Sequence, residues 1–69
     1  MIGKFIGKDA MGFKHGATYN IRSDIQKVRI GGPVFGEWKN CICIYDINSK
    51  AWCPYSGLET VLRNWEIYL

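Results

Sequence analysis

Four side chains in this sequence have the chemistry to hold a metal ion: His15, Cys41, Cys43 and Cys53. One imidazole and three thiolates are the kind and number of ligands that a closed, structural zinc site requires. All three cysteines fall within Cys41-Ile-Cys-Ile-Tyr-Asp-Ile-Asn-Ser-Lys-Ala-Trp-Cys53, which reads as a β-hairpin. With residues 48–50 as a three-residue turn, Ile47 faces Ala51, Asp46 faces Trp52 and Tyr45 faces Cys53. That register collects Cys41, Cys43, Tyr45, Ile47 and Cys53 on one face and Ile42, Ile44, Asp46 and Trp52 on the other. The competing reading is three reduced thiols in or near the core. The spacing is not the paired CxxC of a zinc knuckle, side chains at i and i+2 of a flat strand diverge, and free cysteine is among the most commonly buried residues. A structural zinc is thus one expectation and the absence of any cofactor the other.

Catalysis finds less support. A nucleophilic cysteine needs a base held by a third group, and nothing in the sequence places His15 beside an orienting carboxylate. Paired carboxylates for acid–base work are missing too, so the chain is expected not to be an enzyme. Asp46, beside Asn48 and Ser49, is expected to accept hydrogen bonds in the turn. Aromatic rings interleaved with cations can bind single-stranded nucleic acid, and Tyr19, Trp38 and Trp52 with Lys27, Arg29, Lys39 and Lys50 are the candidates. However, the nine Lys and Arg are scattered and exceed the six Asp and Glu by only three, a weak electrostatic footprint for that role. A third class is protein binding. Val34, Phe35, Trp38 and Lys39 lie in a segment bounded by Gly31-Gly-Pro33 that the hairpin does not need, and an aromatic anchor on a protruding loop is the usual form of a binding hot spot. The segment reads either as a hairpin arm or as a loop, and Trp38 either as an anchor or as core.

The elements that must position these residues are a run of strands and one helix. Sixty-nine residues make a single domain, residues 1–69, with 48% hydrophobic and 14% aromatic content. A chain so short buries only about 60% of its unfolded surface, so its core is thin. Residues 4–7 read as a first strand, and residues 9–16 as a loop folding over the sheet, with Gly16 at positive φ. Residues 17–22 alternate as a half-buried strand, Ser23-Asp24 suits a turn, and Val28 and Ile30 alternate with Lys27 and Arg29 in a further strand that ends at Gly31. After Pro54, which ends the hairpin, Ser56-Gly-Leu-Glu59 has capping-box spacing. Leu58, Val61, Leu62 and Trp65 then form the apolar stripe of a helix over residues 57–66. The expected fold is mainly β, a small SH3-like barrel of about five antiparallel strands with a C-terminal amphipathic helix. Met1-Ile-Gly-Lys lacks the apolar stretch of a signal peptide and no apolar run is long enough to span a membrane. A cytoplasmic location with reduced thiols is the expectation.

Met11-Gly-Phe-Lys-His-Gly-Ala-Thr-Tyr19, the Ile-x-x-x-Asp element at Ile42 to Asp46, Trp52-Cys-Pro-Tyr-Ser-Gly-Leu-Glu59 and Asn64-Trp65 together resemble short proteins encoded by phages and prophages of low-GC Gram-positive bacteria. The resemblance spans nearly the whole chain, and its best element is Cys53-Pro-Tyr-Ser56 with Leu58-Glu59. It implies an SH3-type barrel without catalytic residues. It also implies a role in the host cytoplasm: binding and inhibiting a host protein as an anti-defence factor, such as an anti-CRISPR acting on a Cas effector. The chain departs from that pattern at Gly57, where Ser is expected, and in residues 31–40, which are expanded. Cys41 and Cys43 lie outside the pattern, so a zinc site would be particular to this chain.

Overall fold

The computed structural model describes residues 1–68. Its elements are β1 (Ile2–Phe5), β2 (Thr18–Ile30), β3 (Glu37–Asp46), β4 (Trp52–Tyr55), α1 (Leu58–Asn64) and β5 (Trp65–Tyr68). The five strands form one antiparallel sheet in the order β4-β3-β2-β1-β5. The sheet is not closed, since β4 and β5 are its two edges, and α1 joins them along the chain. The expected five antiparallel strands and single helix are present. No helix among the described residues is long and apolar enough to cross a membrane.

Three boundaries differ from those read in the sequence. Ser23-Asp24 is not a turn. The two strands expected on either side of it are one 13-residue strand, β2. Neither residue forces a reversal as Gly or Pro would, and the Asp24 carboxylate bonds the next backbone N–H, Ile25, at 2.9 Å without leaving the strand. The first strand lies at Ile2–Phe5 rather than residues 4–7, because Gly3 must face inward: a Cβ there would stand 2.7 Å from Ile21 Cδ1 and 3.0 Å from the Trp65 ring. Finally, the helix is not C-terminal. It covers Leu58–Asn64, and Trp65 turns to extended backbone (φ −138°, ψ 134°) to start β5. β5 pairs along the open edge of β1, which gives the backbone groups of both strands ladder partners.

The helix start also differs from the capping box. Gly57 is the N-cap with no side-chain cap bond, Ser56 Oγ lies 3.1 Å from Thr60 Oγ1, and Glu59 pairs instead with Arg63 at 2.7 Å. Of the expected stripe only Val61 is buried on the helix, while Leu58 and Leu62 stay exposed.

The core is an aromatic cluster. Trp65 meets Phe5, Phe13 and Tyr19 edge-on, at centroid distances of 5.2, 4.9 and 5.9 Å. Ile21, Ile44, Tyr55 and Val61 complete it. Phe13 comes from the loop between β1 and β2, which does fold over the sheet as expected, and Gly16 takes φ +83° at its end.

One polar pair is sealed inside. The Trp65 indole N–H donates to Tyr55 Oη at 2.9 Å. Burial holds the Tyr55 phenol well above its ordinary 10.0, only partly offset by that donor. The folded chain therefore keeps this proton at a pH where the unfolded chain has lost it. The unfolded state binds fewer protons, and stability falls as pH rises above about 10. Tyr55→Phe is expected to flatten the decline of melting temperature across that range. At neutral pH it should cost about 1–3 kcal/mol by orphaning the indole N–H. Thermal melts of both proteins through the alkaline range check this, and parallel declines would refute it.

Candidate functional site

The sulfur atoms do not assemble. Asp46 staples the β3–β4 turn by accepting from Asn48 N–H at 3.0 Å and Ser49 Oγ–H at 2.8 Å, as expected of it. The Asp46 N–H bonds Ala51 O, so the turn holds four residues, not three. The register therefore shifts by one, pairing Tyr45 with Trp52 and Ile44 with Cys53. A one-residue shift flips side chains to the other face. Cys53 points with Ile42 and Ile44 toward the aromatic core, while Cys41 and Cys43 share the opposite face with Tyr45. His15 sits on the exposed β1–β2 loop with Nδ1 3.1 Å from Gly7 O and its backbone N–H bonded to Asp9. Among the described residues, no three His, Cys, Asp or Glu side chains converge as metal ligands.

All three cysteines are free thiols, and Cys41 and Cys43 are buried. Desolvation by burial pushes the Cys43 thiol upward, so it stays protonated near neutral pH. Under native conditions Cys41 and Cys43 are expected to resist an aromatic disulfide reagent until the chain unfolds, while half-buried Cys53 reacts sooner. Equal reaction rates at all three would contradict this burial.

What the structure does present is a ribbon. β1 pairs with β2 only near its start, and β4 covers β3 only from Ile42 onward. The register from Gln26 opposite Cys41 to Ile30 opposite Glu37 thus has no third strand beside it, and the molecule stretches to 36 × 21 × 20 Å. The ribbon closes over residues 31–36, where Gly31 and Gly32 both take positive φ (100° and 93°), a conformation glycine adopts without steric cost.

Four candidate contact residues sit at this end. Val34 and Phe35 are in the loop, exposed 76% and 90%, and Trp38 is in β3, exposed 64%. Residues 34–36 are therefore loop and residues 37–40 strand, and Trp38 is not core. Trp38 lies opposite Arg29, and Lys39 lies on the other face opposite Val28, so Lys39 does not share the Trp38 surface. The rings considered for nucleic acid are dispersed. Tyr19 packs on Phe13 and Trp65, Trp52 stacks on Tyr45 at 6.0 Å, and the Arg22 guanidinium lies over the Tyr45 ring.

Sequence reasoning missed an apolar groove. Met1, Ile42, Leu58, Leu62 and Ile67 line a hollow of about 340 Å³ between α1 and the sheet. Ile25, 71% exposed, lines a second, shallower hollow that shares Ser23, Ile42 and Leu58 with it. The signal was available in the strand alternation Ile21, Ser23, Ile25, once Ser23-Asp24 is read as strand.

Compared with described protein families, curated proteins and solved structures, the chain shows no significant match.

Proposed function

We propose that this chain is a small, non-enzymatic binding module of SH3-like topology that inserts its β2–β3 ribbon into a host protein. The observation that carries this reading is the ribbon end. Phe35, Val34 and Trp38 stand out of a two-stranded arm that contributes no side chain to the core cluster. Large apolar side chains left in water at a protrusion favour contact with a concave partner surface. The meander order, with one long β2 paired to both β1 and β3, supports the SH3-like reading. The burial of Cys41 and Cys43 and a backbone-bonded His15 support a role without catalysis. Resemblance to phage-encoded proteins makes a host defence protein the proposed partner, with inhibition of a Cas effector as the specific form and the host cytoplasm as the place.

Pull-down from host lysate with wild type, Phe35→Ala and Trp38→Ala tests the reading. A defined protein retained by wild type and lost by both variants is the expected result. Recovery of nucleic acid alone would move the assignment to the alternative, a nucleic-acid-binding barrel, for which Arg29 opposite Trp38 is the favouring feature.

A further inference from the structure

We propose that the surface receiving the ribbon end is an apolar pocket of a protein partner with a carboxylate on its rim, placed to pair with Arg29. This rests on the protein-binding reading of the same ribbon end and adds the partner's chemistry to it.

Charge on the ribbon is one-sided. Residues 26–40 carry Lys27, Arg29 and Lys39 against Glu37 alone, a net +2 of the chain's +3. All four are exposed. The ion pair found among the described residues, Glu59 with Arg63, lies on the helix, so none of these cations has a carboxylate partner there. Glu37 lies opposite Ile30 and thus leaves the other face of the ribbon from Arg29. Asp24, the nearest acid along β2, uses its oxygens on the Ile25 N–H and Gln26 Nε2.

Arg29 is the cation that the fold positions. It pairs across the ribbon with Trp38, and its stem crosses Gly36, where a Cβ would stand 2.9 Å from Arg29 Cγ and 3.1 Å from Nε. The missing side chain at Gly36 lets that stem lie against the backbone, next to Phe35 in the chain and to Trp38 across the ribbon. A supported guanidinium loses less freedom on binding, and its planar fork matches a carboxylate through two parallel hydrogen bonds. Lys27 shares the Arg29 face and Lys39 takes the opposite one, where each serves as a rim charge. Phosphate is the other anion that an arginine fork fits. A nucleic-acid backbone suits this arm less, because three cations divided between two faces make no continuous track for a row of phosphates. Val34 and Phe35, exposed 76% and 90%, also need an apolar seat. A protein pocket supplies the seat and the carboxylate together.

The probe is the host protein that wild type retains and Phe35→Ala does not, purified and titrated with the full chain. Arg29→Glu is expected to raise Kd at least about thirtyfold. Arg29→Lys, which keeps the charge and loses the fork, should fall between that variant and wild type. Lys27→Glu should lower the association rate. Raising salt from about 0.1 M to about 1 M shortens the Debye length from about 10 Å to about 3 Å, which should weaken wild type and affect Arg29→Glu less. Should thermal melts show that Arg29→Glu does not fold, Arg29→Met keeps a stem over Gly36 without the charge, and the same direction of loss is expected. Wild-type affinity in the folded Arg29 variants, with Phe35→Ala still defective, would overturn the acidic rim and leave the ribbon-tip reading standing. Retention of no Phe35-dependent protein would overturn both. A fluorescein-labelled DNA duplex or single strand that wild type binds saturably and Arg29→Glu does not would assign Arg29 to phosphate and overturn the proposal.

Discussion

Trp65→Ala is expected to unfold the chain at ambient temperature. The indole is 1% exposed, and large-to-small truncation of a buried tryptophan costs about 3–5 kcal/mol. A domain of this size holds little more than about 3–5 kcal/mol in total. The location adds to the general cost. Phe5 comes from β1, Phe13 from the long loop, Tyr19 from β2, and all three pack edge-on against this one ring. Its removal also leaves Tyr55 Oη, deep in the core, without its N–H donor. Trp65→Phe keeps most of the apolar volume and should fold with a lowered urea midpoint. Urea unfolding followed by circular dichroism gives the comparison. An unchanged midpoint for the alanine variant would mean that the aromatic cluster does not hold this sheet together.

The second large effect is expected at the ribbon end, and it should appear in binding without appearing in stability. Phe35 and Trp38 lie outside the core cluster, so Phe35→Ala and Trp38→Ala should melt within about 0.5 kcal/mol of wild type, as surface substitutions do. Each is expected to cost about 2 kcal/mol or more in affinity for the captured partner, roughly thirtyfold in Kd. Lys39→Ala should cost less, because its side chain leaves the opposite face of the ribbon from Trp38 and a rim charge acts mainly on association rate. Isothermal titration with the purified partner, alongside melts of each variant, separates the two quantities. Parallel loss of stability and affinity would show that these side chains support the fold instead.

The residues of the candidate site were legible; their conformation was not. Gly31-Gly-Pro33 marks a break after Ile30, but the sequence left Trp38 either an anchor or core. Whether Trp38 was loop or strand depended on β3, because a strand is defined by its neighbour and local propensity does not report the neighbour. The zinc quartet shows the same limit more sharply. Four ligands of suitable types were present, yet the shared face of the three sulfurs rested on one turn length, and the turn stapled by Asp46 is a residue longer.

Short-range chemistry determined a good deal by itself. The alternation of residues 17–22 could only be a strand with one wet face, Gly16 had to supply positive φ, Phe13 had an apolar reason to fold back, and Asp46 had turn hydroxyls and amides within reach. Those are interactions between residues a few positions apart, and the chain encodes them directly. Tertiary structure decided what depends on distant partners. It joined two expected strands into β2, because β3 lies beside the whole of it from Ile21 to Ile30. It ended the helix at Asn64, because the edge of β1 offered Trp65 and its successors a ladder to complete.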